Sequence, residues 1–153
     1  MLLVTLFSLS VAILACARSD DAESAYKRGD YALAYKGFKT LAEQGNAVAQ
    51  NSLGGMYTKG QGVLQDYAEA MEWYRKAAEQ GNADAQNSLG EIYAKGQGVP
   101  QDFVQAHMWF NLAAAQGHST AQGNRDEVTR KMTPSQIAEA QSLARQWKPK
   151  GKD

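Results

Sequence analysis

The chain has 153 residues, with 16 Lys and Arg against 16 Asp and Glu, 44% hydrophobic residues, one Cys and two His. This is too apolar for a disordered chain, and long enough for one cored domain but not for two large ones. Zero net charge argues against a dedicated nucleic-acid binder, which needs a basic surplus, and a single Cys excludes an intrachain disulfide scaffold or a multi-cysteine zinc site.

Residues 1–17 read as an export signal. Met1 to Ala17 carries no charged side chain, and its apolar stretch of about 16 residues is short of the ~20 that span a membrane. No Lys or Arg precedes Arg18, so the basic start of such signals is missing. Two exits overlap. Ala15-Cys16-Ala17 fits a small-x-small cleavage site after Ala17, whereas Ile13-Leu14-Ala15-Cys16 resembles the lipoprotein box, in which Cys16 is lipidated. The expectation is an exported protein, either periplasmic, membrane-anchored as a lipoprotein, or secreted. An uncleaved signal is the remaining way to reach a membrane. Cys16 is no catalytic thiol, because no basic neighbour precedes it to lower its pKa.

The rest of the chain repeats. Ala47–Asn82 and Ala83–His118 align without a gap at a period of 36, with 21 of 36 positions identical. Both carry Leu-Gly-x-x-Tyr, then Gly-x-Gly-Val-x-x-Asp, then Ala-x-x-Trp-x-x-x-Ala-Ala-x-Gln-Gly. A shorter copy occupies 18–46, and a degenerate one begins at Ser119, with Arg125 at the Leu53/Leu89 position and Asp126 at the Gly54/Gly90 position. Atypical end copies are expected where one face meets water.

Each unit reads as two helices. Ala49, Leu53, Met56 and Tyr57 share one helical face, as do Tyr67, Ala70, Met71, Tyr74 and Ala77, and no strand alternation appears. Gln-Gly-Asn at 44–46 and 80–82 supplies a glycine stop and then an Asn cap. Asp66 is placed to cap the second helix, with Glu69 reaching back as the other half of a capping box. Gly54 and Gly90, unfavourable in mid-helix, predict backbone contact between the paired helices, with Trp73, Trp109, Tyr57 and Tyr93 filling the larger gaps. Thr133-Pro134-Ser135-Gln136 opens a last helix carrying Ile137, Ala140, Leu143, Ala144 and Trp147 on one side. Residues 119–153 thus comprise the degenerate copy, a closing helix and a fraying tail over Pro149–Lys152.

These motifs closely resemble the Sel-one-like repeat, a relative of the tetratricopeptide repeat with a longer interhelix loop. The resemblance covers roughly Asp20 to Lys131. It implies an all-α fold, a right-handed superhelical solenoid of antiparallel helix pairs with a C-terminal capping helix. It also implies an adaptor in protein complexes, often exported in bacteria, with no shared catalytic residue. In tetratricopeptide relatives the first helices line the concave surface. Carried over on Leu53, Gly54 and Tyr57, that places Val48, Asn51, Gly55 and Lys59 inside, followed by Asp84, Asn87, Glu91 and Lys95. The two Asn would offer amides to a peptide backbone and the two Lys would hold a carboxylate. A plainly solvated face explains the same recurrence, and the two readings stand together.

Catalytic chemistry finds little support. Gly60-Gln61-Gly62 and Gly96-Gln97-Gly98 lack the third glycine of a dinucleotide fingerprint and the Gly-Lys-Ser/Thr of a phosphate loop, so they read as interhelix turns. Asp66 and Asp102 read as caps rather than paired acids. His107 and His118 have no ligand partner at metal-binding spacing, and read as a packed helix residue and a cap variant. The expectation is a non-catalytic protein-interaction or scaffold module of the bacterial envelope, with no cofactor or metal and a protein or peptide partner. The alternatives are an envelope enzyme or accessory factor acting on cell-wall material, and a secreted effector or regulator.

Overall fold

The computed structural model describes residues 21–150, which form eight helices and no strand. They are α1 (21–27), α2 (Tyr31–Glu43), α3 (Ala47–Lys59), α4 (Tyr67–Glu79), α5 (Ala83–Lys95), α6 (Phe103–Ala115), α7 (Ser119–Thr129) and α8 (Pro134–Gln146). The signal expected over residues 1–17, including Cys16, lies outside the described residues, as does the end of the tail beyond Lys150.

Local chemistry sets the helix ends. The second helices of the pairs, α2, α4 and α6, start at Asp30, Asp66 and Asp102, each of which accepts backbone N–H bonds from the first turn. The helices α3, α5 and α7 start at Asn46, Asn82 and His118. His118 caps through Nδ1, which accepts from Ala121 N–H at 3.2 Å. The α3 and α5 helices stop at Gly60 and Gly96, both at φ +65°, where a Cβ would be strained. One expected cap is only half formed. Asp66 caps α4, but Glu69 does not reach back, because the Asp66 N–H already donates to Tyr57 O at 3.0 Å. The full reciprocal box is found at Thr133 and Gln136.

Helices pack in chain order from α2 to α7, and their shared apolar faces make a continuous core. Mid-helix Gly54 and Gly90 admit an aromatic ring rather than another backbone. A Cβ at Gly54 would sit 2.7 Å from the Tyr74 ring, and one at Gly90 2.5 Å from Phe110. Tyr74 and Phe110 are therefore the aromatic residues that key each pair together. Of the two repeat tryptophans only Trp109 is buried; Trp73 is part-exposed, with Lys76 Nζ 3.9 Å above its ring.

The two buried glutamines were not singled out by sequence reasoning. Gln50 donates to Ala42 O at 3.1 Å, satisfying a carbonyl at the end of the preceding helix, and accepts from Gln80 at 2.7 Å. Gln86 and Gln116 repeat the device one unit on, with Ala78 O at 3.2 Å and a Gln–Gln bond of 2.7 Å. These helix-end carbonyls also accept from Gly45 N–H at 3.0 Å and Gly81 N–H at 2.9 Å, so the glutamine adds a further donor and ties each unit to its predecessor. The signal was present as Ala-x-Ala-Gln at the same place in both repeats.

The closing helix does not pair with α7. It lies against α6, with Ala140 and Ala144 buried and the Trp147 ring edge-on to Trp109 at 6.3 Å. Beyond it, Lys150 is held rather than frayed: its N–H donates to Glu79 O at 2.7 Å and its Nζ pairs with Glu79 Oε2 at 2.9 Å. The helix α7 ends the stack itself, with exposed Ser119, Thr120, Gln122, Asp126 and Glu127 turned to solvent.

Candidate protein-binding groove

The first helices α1, α3 and α5 line a groove of about 640 Å³. Sequence identity between units would lead one to expect two equal sets of groove residues. The structure divides them. Val48, Asn51, Gly55, Lys59 and Asp84 line this groove together, over a floor that includes Tyr26, Phe38 and Tyr74. Glu91 and Lys95 line a smaller hollow of about 230 Å³ between α5 and α7, and Asn87 is buried beside it.

Two substitutions produce the difference. Position 55 is Gly, and its counterpart one period on is Glu91. Glu91 accepts from Asn87 Nδ2 at 3.0 Å and from Lys95 Nζ at 3.0 Å, while Asn87 Oδ1 accepts from Asn124 at 3.0 Å. That set is internally satisfied. At Gly55 no carboxylate is available, and Ser88, in the place of Asn124, donates instead to Asp84 O at 2.9 Å. Asn51 Oδ1 is therefore buried without a partner, which is costly for a carbonyl oxygen. Gly55 also leaves the Tyr74 hydroxyl near the groove, 3.6 Å from where a Cβ would stand.

The charges divide in the same way. Lys27 pairs with Glu23 at 2.7 Å and Asp84 with His118 Nε2 at 3.2 Å. Lys59 has no ion pair among the described residues and is exposed at the C-terminal end of α3. Val48, 63% exposed, stands at the other end of the same helix. Between them the wall can accept and donate hydrogen bonds, hold one anion and cover apolar side chains.

Two titrating groups outside the groove are perturbed. Tyr57 is pushed well above the usual phenol range by its hydrogen bond to Tyr35, with burial adding to the effect, and the two hydroxyls are 3.0 Å apart. His107 is lowered by burial and then by Arg125. Among the described residues there is no cluster of three or more His, Cys, Asp or Glu able to hold a metal, and no helix is long and apolar enough to cross a membrane.

The fold and the groove define a helical-repeat solenoid of protein-interaction type. Residues 47–82 and 83–118 each match the Sel1 repeat, and the chain is a Sel1-like repeat protein. Proteins of this kind are in general interaction scaffolds. No match was found among curated proteins. Among solved structures, the chain is similar to a protective antigen of uropathogenic Escherichia coli strains displaying an SLR fold, at 35% identity and TM-score 0.83, over 87% of this chain and 29% of that one. It is also similar to a Sel1 repeat protein from Oxalobacter formigenes, at 32% identity and TM-score 0.70, over 85% of this chain and 56% of that one. The chain thus spans less than a third of the first relative and just over half of the second.

Proposed function

We propose that the protein is a non-catalytic scaffold of the bacterial envelope that holds an extended segment of a partner protein in the α1–α3–α5 groove. The single observation that carries this reading is Asn51 Oδ1, buried and unpartnered in a groove whose near-copy is fully satisfied. A peptide N–H supplies what that oxygen lacks. From Val48 to Lys59 the wall is about 16 Å long at the helical rise, the span of about five extended residues. Val48 fits an apolar side chain and Lys59 a carboxylate at the opposite end. Residues 1–17 support export, with Cys16 as the anchor in a lipoprotein or cleavage after Ala17 in a free periplasmic or secreted protein. The likeness to a protective antigen fits display outside the cytoplasm.

The test is selection of short peptides on the purified chain, followed by titration against Lys59→Glu. A charge-assisted contact of about 1.5 kcal/mol or more predicts at least a tenfold loss of affinity for acidic-ended peptides, with helicity unchanged. Lys95→Glu, whose lysine is already engaged by Glu91, has the smaller effect. Equal binding by the Lys59 variant overturns the reading.

A further inference from the structure

A second hollow, of about 360 Å³, opens between α6, α7 and α8, and it shares no lining residue with the groove. It exists because the last unit is incomplete. Where Phe110 comes over Gly90, no aromatic ring comes over Asp126, its counterpart one period later, since α8 lies on α6 instead of pairing with α7. The residues around the gap are polar where the preceding unit is mostly apolar. His107 stands for Met71, Arg125 for Leu89, Asp126 for Gly90 and Thr129 for Tyr93.

Two features of the hollow point to a ligand. His107 is 3% exposed and its Nδ1 is buried with no hydrogen-bond partner. Arg125 gives Nε and one NH2 proton to Asp126 Oδ1 at 3.2 and 3.0 Å, and one NH1 proton to Asn111 Oδ1 at 3.4 Å. A guanidinium has five N–H groups, so two stay unspent, and Asn111 keeps its amide nitrogen. Gln141, on α8, adds a further amide at the rim. With the Asp126 carboxylate already engaged by Arg125, the unspent donors of Arg125, Asn111 and Gln141 beside one buried, unsatisfied ring suit an oxyanion.

We propose that this hollow binds a small monocarboxylate, gripped by Arg125, Asn111 and Gln141 and completed by the His107 ring. Charge selects the guest. Arg125 and Asp126 cancel, so the site is neutral until His107 gains a proton, and then it carries a single positive charge, suited to a monoanion and not to a dianion. Arg125 and Asp126, both from α7, are the charged groups that act on His107; Asn111 on α6 and Ile137 and Gln141 on α8 are uncharged. Burial and then Arg125 favour the neutral ring in the free protein. A bound carboxylate favours the protonated ring, so binding takes up a proton. Affinity therefore rises as pH falls, by at most about tenfold per pH unit.

The test is an NMR titration of the full chain with acetate at pH 7.5 and 6.0, and with succinate at pH 7.5, where it is a dianion. The expected result is saturable shifts at the Asn111 and Gln141 amides and at Arg125 Nε, with acetate bound about fivefold or more tightly at pH 6.0 and succinate bound more weakly than acetate. Arg125→Leu and His107→Met each install the residue of the preceding unit, and melting curves check that both fold. Arg125→Leu should abolish the shifts, and Arg125→Gln serves if that variant does not fold. His107→Met should keep weak binding and lose its pH dependence. No saturable shift at either pH, undiminished binding in the Arg125 variant, succinate bound as tightly as acetate, or pH dependence surviving in His107→Met overturns the proposal. The groove variant Lys59→Glu leaves acetate binding unchanged, so failure here and failure of the peptide reading are separate results.

Discussion

The segments 47–82 and 83–118 share 21 of 36 residues and the same cap geometry, yet only the first exposes an unsatisfied binding wall. The backbone of each is dictated by the shared residues: the Asn cap, the left-handed Gly stop, the ring-bearing partner helix and the Gln relay. The wall is dictated by the unshared ones. Gly55 denies Asn51 Nδ2 the carboxylate that Asn87 finds in Glu91, and Ser88 denies its Oδ1 the donor that Asn124 gives Asn87. A repeat array can therefore vary a position or two per unit to turn a structural face into a binding face without disturbing the stack. This fits the quasi-one-dimensional character of solenoids, where each unit answers mainly to its neighbours.

The comparison can be broken most forcibly at the tryptophans. Trp109 is buried under α8 through Trp147, whereas Trp73 packs on the core of the first unit but is only part-buried, with Lys76 over its ring. Trp109→Ala should cost about 3–5 kcal/mol and Trp73→Ala clearly less, measured as the shift in urea midpoint. Equal losses would show that the two units are stabilised alike and that α8 contributes nothing to the difference.

A smaller effect is expected at the glycines. Ala at Gly90 drives a Cβ into the Phe110 ring and should cost about 1–3 kcal/mol. Ala at Gly55 meets only the Tyr74 hydroxyl at 3.6 Å and should be neutral or slightly stabilising, since it removes a mid-helix glycine. Thermal melts of the two variants should move in opposite directions or differ by several degrees.

The finest test exchanges the deciding residues themselves. Gly55→Glu should rebuild the Asn–Glu–Lys chain of the next unit, raise stability by about 0.5 kcal/mol through the i,i+4 pair with Lys59, and close the groove to peptides. If Gly55→Glu binds peptide as well as the parent chain, the open space at Gly55 is not what makes this face a binding wall; Ser88→Asn, which offers Asn51 Oδ1 the donor that Asn124 gives Asn87, tests the unpartnered oxygen in the same assay.

Much of the architecture was legible because it is written in local chemistry. A cap needs its side chain two or three residues from the N–H it serves, and a turn with positive φ needs glycine on the spot. Asp30, Asn46, Asp66, Asn82, Asp102 and Thr133 all cap as their neighbours in sequence imply. Even the missing half of the Asp66 box has a nearby cause, since the donor Glu69 would have reached is spent on Tyr57 O. The eight candidate wall residues were named from their place in the repeat. Their division into an open set and a satisfied set was not legible, because it turns on Asn124, 37 residues from Asn87, and on what Ser88 does in the equivalent place. The Gln50 and Gln86 relay was missed for a related reason: a polar residue in a repeat looks like surface until the carbonyl it serves, eight residues back across a turn, is seen beside it.

Taken alone, the sequence determined the helix pairs, their boundaries and the stacking of unit on unit, because period, caps and turns act over a few residues and each unit must bury its apolar face against the next. Only the tertiary structure decided that α8 folds onto α6 rather than beside α7, that Tyr74 and Phe110 rather than the tryptophans press on the mid-helix glycines, and which amides are left without partners. Those outcomes depend on how side chains from distant segments compete for the same space and the same hydrogen bonds, and a pattern of spacings along the chain carries no record of that competition.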